Sequence, residues 1–257
     1  IKEIHKRHLN KLYGKPKLGD LRWLAVDEIH VGKKHFLTVV MDLESGAVVF
    51  VGEGKNGDCL TPFWKRLKRS KAAIEAVAMD MGRAFIRAVR EHLPQAAIVF
   101  DHFHVIKLFN EKLAQLRRAE QKKAEDQDKA VLKGTRWLLL KRPRKLDDDR
   151  DEAKRLQDAL QLNQSLATAY YMKEDLGRIW RQMDKESASF LMDDWMKRAE
   201  VSGIRMLEKF ARTLERHREG ILAYYDFNRL STGPLEGMNN KIKLLQRIAF
   251  GFRGKEF

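Results

Sequence analysis

The chain has 257 residues, 44% of them apolar, enough to bury one large core or one core with an appended helical lobe. Its 51 Lys and Arg against 36 Asp and Glu leave a formal charge of +15 and a pI near 9.8, which implies a polyanionic partner, because neutralising phosphates releases their counter-ions. The single cysteine, Cys59, excludes an internal disulfide and a cysteine-rich zinc site, and no window approaches the roughly 18 uninterrupted apolar residues that a membrane span needs.

The opening IKEIHKRHLNKLYGK has no signal-peptide core, so the chain reads as cytoplasmic. With no initiator Met and an end at GFRGKEF, it is expected to be a piece of a longer protein. Residues 1–20 form a basic lead-in that closes in the turn-like GKPKLGD. Strands are predicted over 21–31, 36–42 and 47–51, joined by the turns GKKH and ESG into an antiparallel meander. Asp58 is a predicted N-cap for a helix over 59–69, with Pro62 in its first turn. A fourth strand over 74–79 ends at Asp80, a helix over 83–92 stops before Pro94, and a fifth strand over 96–100 ends at Asp101.

This β-β-β-α-β-α-β order, a meander followed by right-handed crossovers, is that of a ribonuclease H-like α/β fold with a mixed five-stranded sheet. Its first and fourth strands lie side by side, which makes neighbours of Asp27 and Asp80. Asp27 interrupts the apolar run LRWLAV, and a charge there needs either a solvent-exposed strand end or a paired or metal-holding role. The segments FWKRLKRSK and KRPRK concentrate the basic charge.

From 105 to 226 the apolar spacing turns helical, through Leu113, Leu138, Leu156, Leu166, Phe190, Leu207 and others among dense charges. An all-helical insertion is predicted there, between sheet segments 21–104 and 227–257. Trp137, Trp180 and Trp195 are expected in its core, with stacking on an unpaired base as the alternative. The acidic runs KAEDQDK and LDDDRDE read as exposed turns or helix starts. In STGPLEGMNNKIKLLQR, Ser231 or Thr232 can cap a helix, Pro234 and Glu236 fall in its first turn, and Lys241, Lys243 and Arg247 follow. Gly233, three positions before Glu236, makes a poor capping box.

The segments AVDEIHVGKKHFLTVVMDLESG, AVAMDMG, PQAAIVFDHFHVIK and LSTGPLEGMNNKIKLLQRIAFGFRG resemble the catalytic domain of the ISL-three insertion-sequence transposases, within the DDE group. The resemblance implies a ribonuclease H-like domain with a helical insertion before the last acidic residue, acting on DNA with divalent metal. It implies Asp27, Asp80 and Glu236 as the catalytic and metal-holding acids. Asp101 competes for the second place through its Asp-x-x-His pattern with His104; related transposases keep the second acid upstream of that pattern, which favours Asp80 and leaves Asp101 and His104 supporting or DNA-positioning parts. Two Mg²⁺ or Mn²⁺ ions would activate water and then the freed 3′-hydroxyl, and carboxylates are the ligands such hard cations take. Lys241, Lys243 and Arg247 are candidate phosphate contacts, with a solvated basic face as the alternative. The implied partners are transposon ends and target DNA, engaged by a homodimer on paired ends, and no membrane. Two other readings stay open: a structure-selective nuclease of the same fold, and an inert transposase-derived DNA-binding protein. The amino-terminal zinc-binding and helix-turn-helix segments expected of the family are not in this sequence, so poor recognition of element ends is expected.

Overall fold

A computed structural model of the chain describes residues 14–32 and 35–248, together with residues 4, 7, 8 and 11. Nine residues of the basic lead-in, the middle of the GKKH turn and the GFRG run lie outside the described residues. The chain divides into two compact units, residues 1–101 with 227–257 and residues 102–226.

The first unit is built on a sheet of β1 (Trp23–Gly32), β2 (His35–Asp42), β3 (Val48–Glu53), β4 (Ala76–Met79) and β5 (Ala97–Phe100). Strand order is β3-β2-β1-β4-β5. β1 pairs antiparallel with β2 and parallel with β4, β2 pairs antiparallel with β3, and β4 pairs parallel with β5, which is the ribonuclease H-like arrangement that the element order predicts. The β2–β3 turn is held by the Asp42 carboxylate, which accepts from the backbone N–H groups of Glu44 at 3.2 Å and Ser45 at 3.1 Å, while Gly46 takes the positive φ of 72° that a side chain would resist. β4 is buried along its whole length, as a central parallel strand with both faces covered should be.

Helices α1 (Thr61–Ser70) and α2 (Arg83–His92) make the two crossovers. α1 buries Phe63, Trp64 and Leu67 and turns Lys65, Lys68 and Arg69 outward. Its start differs from the sequence expectation. Asp58 lies inside a 3-10 turn, Gly57–Leu60, and Leu60 occupies the cap position of α1, because the chain tightens into 3-10 geometry before the helix begins. Pro62 is in the first turn as expected.

The second unit is all helical: α3 (His102–Lys123), α4 (Asp126–Leu132), α5 (Arg136–Leu140), α6 (Glu152–Leu162), α7 (Gln164–Leu176), α8 (Lys185–Glu200), α9 (Arg205–Arg216) and α10 (Arg218–Asp226). The sequence boundary at 104/105 falls inside α3. Phe109, Trp195 and Phe210 meet edge to face, with ring centroids 4.9 to 5.9 Å apart, and the Trp195 indole N–H donates to the Met172 carbonyl at 2.7 Å. Trp180 is buried as well. Trp137 is not a core residue: it is 63% exposed, its face covered by the Arg136 guanidinium 4.7 Å away, because α5 is a short helix that spends its buried side on Leu138 and Leu139. Phe190 is likewise exposed on α8. Glu152, at the end of the LDDDRDE run, is buried rather than solvated, taking Lys141 as its ion partner and the Asp147 N–H. No helix among the described residues is long and apolar enough to cross a membrane.

Candidate active site

The sheet aligns two carboxylates. Parallel pairing sets Leu24 against Val77 and Ala25 against Ala78. Continued by two positions, that register sets Asp27 beside Asp80, each half-buried where the apolar run of its strand gives out. Asp80 is held by its own loop. Its Oδ1 accepts the Gly82 N–H at 2.8 Å, and Gly82 is the N-cap of α2. A Cβ on Gly82 would stand 2.7 Å from that oxygen. The φ of −67° at Gly82 suits alanine, so Gly82→Ala should leave the unfolding midpoint within about 1 kcal/mol of the parent while turning the Asp80 carboxylate aside. Any activity that uses Asp80 should then fall by about tenfold or more, and unchanged turnover in this variant would show that Asp80 has no part in it.

Asp27 is held from α11 (Gly233–Ile248), whose buried residues Leu235 and Asn239 lie one turn apart and face the sheet. Asn239 is 4% exposed, and its Nδ2 donates to Asp27 Oδ2 at 2.8 Å. The amide oxygen of Asn239 is buried without a hydrogen-bond partner among the described residues. Glu236, half-buried, precedes Asn239 by three positions and therefore shares its face of the helix.

The beginning of α11 is fastened to the end of β5. Asp101 is 1% exposed, and its Oδ2 accepts both the backbone N–H and the hydroxyl of Thr232, each at 2.6 Å. Thr232 stands at the cap, its carbonyl accepting the Glu236 N–H at 2.9 Å, yet its hydroxyl serves Asp101; Ser231 Oγ instead accepts the Gly233 N–H at 3.3 Å. Asp101 thus has a structural use that its sequence pattern does not reveal. His104, its partner in that pattern, lies on α3 in the helical unit.

Glu28 received no role from the sequence, although it follows Asp27 directly. Burial pushes its carboxyl up, the charges of Asp80 and Asp27 add to the shift, and Lys55 opposes it. Neighbouring strand residues point to opposite faces, and Glu28 sits opposite Thr38 of β2, whose hydroxyl meets the Cys59 thiol at 3.1 Å. The DE doublet was the available signal; that the second acid also feels Asp80 depends on the sheet.

Lys241, Lys243 and Arg247 are all exposed on α11. At 100° per residue, Lys243 and Arg247 continue the stripe of Glu236, whereas Lys241 points well away from it. Asp27, Asp80 and Glu236 are carboxylates, the ligand type that hard divalent cations take. Among the described residues, however, no three His, Cys, Asp or Glu side chains are grouped closely enough to make a finished metal cage.

A family model described as Transposase, of the ISL-three DDE type, matches residues 24–257. The transposase for insertion sequence element IS1001 of Bordetella parapertussis is 35% identical over 262 residues, covering 100% of this chain and 64% of that protein. The transposase for insertion sequence element IS1557 of Mycobacterium tuberculosis is 31% identical over 269 residues, covering 93% of this chain and 59% of that protein. The chain therefore spans 64% and 59% of the length of these two curated relatives. Among solved structures, the Drosophila P element transposase strand transfer complex matches 94% of this chain and 74% of that chain, at 14% identity and a TM-score of 0.41.

Proposed function

Because the chain belongs to the ISL-three family of DDE transposases, we propose that its sheet unit is the catalytic domain of an insertion-sequence transposase, cutting and joining DNA. The observation that carries this reading is the placement of Asp27 level with Asp80, together with the bond that ties Asp27 to α11 next to Glu236. Asp27, Asp80 and Glu236 would hold Mg²⁺ or Mn²⁺, two ions in the finished site. When bound, such ions lower the pKa of an attacking water and stabilise charge on the leaving oxygen.

The rest is done by the chain. Asn239 orients the Asp27 carboxylate, the Gly82 N–H orients that of Asp80, and the Asp101–Thr232 latch sets where α11, and so Glu236, begins. Lys243 and Arg247, in line with Glu236, suit the phosphates that flank a cleaved bond. The reaction needs no protein nucleophile. Hydrolysis of one phosphodiester leaves a 3′-hydroxyl and a 5′-phosphate, and that hydroxyl then displaces a second 3′-oxygen at a target phosphodiester. The partners would be element ends and target DNA, with a homodimer on paired ends, in the cytoplasm; the helical unit would be the insertion that precedes the last acid.

That no three His, Cys, Asp or Glu side chains are grouped as a metal site among the described residues favours one alternative, a DNA-binding relative that no longer cuts. A labelled duplex with a free 3′-hydroxyl end, incubated with supercoiled plasmid and Mn²⁺, separates the readings. The transposase reading expects labelled strand covalently joined to plasmid, abolished by EDTA. Cutting without joining would mean a nuclease; neither, with DNA still bound, would mean the inert protein.

A further inference from the structure

Of the five tryptophans, all within the described residues, only Trp137 is exposed, at 63%; Trp23 is half-buried, and Trp64, Trp180 and Trp195 are buried. A single apolar side chain at a surface means little by itself. What singles out Trp137 is its company. The Arg136 guanidinium carbon lies 4.7 Å from the ring centroid, so a cation covers one face of the indole while the other faces solvent.

More positive charge is gathered there by the fold. Arg117 of α3 donates to the Leu132 carbonyl at 3.2 Å, which fastens α3 to the end of α4. Burial, then the like charges of Arg118 and Arg136, hold its guanidinium below the ordinary arginine range. Arg155 reaches in from α6, its Nη2 3.4 Å from where a Cβ on Gly134 would stand; Gly134, with a φ of 82°, makes the turn between α4 and α5. Arg118, Arg136 and Arg155 are exposed, and none of the four arginines has an ion pair among the described residues. Acids near them in the chain are spent on lysines: Glu120 on Lys123 and Asp126 on Lys129, each at 2.9 Å, and Glu152 on Lys141. Three helices thus set arginines of one sign around an indole with an open face.

We infer that this surface of the helical unit holds an unpaired DNA base, stacked on the open face of Trp137, with phosphates of the same strand on Arg118, Arg136 and Arg155. Other occupants leave features unused. A bare phosphate has no need of the indole. A fully paired duplex keeps its base faces inside the stack. A second copy docking through the same patch would set these arginines against their own counterparts, and the neighbours Lys133, Gly134 and Arg136 offer an apolar partner nothing to bury. An unstacked base supplies a flat face for the ring, and its backbone supplies the charge. The inference goes beyond strand cutting and does not depend on the carboxylates of the sheet unit: it gives the helical unit a task of its own, holding a strand whose pairing has opened.

Binding is measured in EDTA, so that absence of cutting leaves it untouched. Three duplexes serve as probes: one with a single unpaired adenine, one with an abasic site in place of that adenine, and one fully paired. The first two carry the same phosphates and differ only in the base. The unpaired-adenine duplex should bind about tenfold more tightly than the abasic one and quench tryptophan fluorescence. Trp137→Ala should erase this difference with the urea midpoint unchanged, because the side chain is exposed, and Trp137→Phe should keep part of it. Arg118→Ala/Arg136→Ala should weaken all three duplexes and make log affinity less steep in log salt by about 1 to 2. Equal binding of the unpaired-adenine and abasic duplexes by the parent, or a preference that Trp137→Ala retains, would overturn the inference. So would Trp137→Ala abolishing self-association in sedimentation, or poly-glutamate binding, with the DNA preference intact, which would give the surface to a protein.

Discussion

Asp27→Asn should lower metal-dependent strand cleavage and joining by about three orders of magnitude while leaving the fold in place. Asparagine keeps the shape of the side chain and an oxygen for the Asn239 donor, so the 2.8 Å contact to α11 can persist. What is lost is the charge, and with it most of the attraction for a divalent cation. The change in folding free energy should stay near 1 kcal/mol, the value of one altered hydrogen bond. Equal rates for the variant and its parent, measured on the labelled-end substrate with Mn²⁺, would remove Asp27 from the chemistry. Asn239→Leu, which takes away this donor but no acid, should cost a smaller factor, roughly 10- to 100-fold, as loss of groups that orient ligands does.

The second large effect concerns stability. Thr232→Val preserves volume and removes the hydroxyl that Asp101 accepts at 2.6 Å. A buried carboxylate that loses a hydrogen bond costs about 1.5–3 kcal/mol, and Asp101→Ala, which leaves the Thr232 N–H and hydroxyl without this acceptor and opens a void, should cost about 3 kcal/mol or more. Both should appear in urea unfolding as a lower midpoint, with faster amide exchange at the start of α11. The measurement also distinguishes the two roles open to Asp101. If Asp101 were also the second catalytic acid, Asp101→Asn would abolish activity at a loss of stability no greater than that of Thr232→Val. A latch alone gives activity that falls in step with stability in both variants, only as far as α11 shifts.

The helix over 83–92 was legible to the residue, because Gly82 and Pro94 bracket it and both act through their own backbone. The sheet order could be read for a similar reason: short apolar runs separated by turn residues permit few connections, and one of them sets the first strand beside the fourth. That made Asp27 and Asp80 neighbours on paper, and the observed register agrees.

Alternation, spacing and turn chemistry are local properties, and they were enough to place the strands, the two crossover helices, the helical character of residues 105–226, the basic surface and the positions where apolar runs break at an acid. The tertiary structure alone decided what those acids touch. Asp101 and Thr232 stand 131 positions apart, and Asp27 and Asn239 stand 212 apart. No periodicity links residues at such distances; they meet because α11 packs on the sheet that carries Asp27 on β1 and ends in Asp101 after β5. The same holds for Trp137 and Trp180, equally apolar in sequence, of which one is exposed and the other buried. Composition fixes how much a side chain gains from burial, but whether a surface arrives to cover it depends on packing between distant elements.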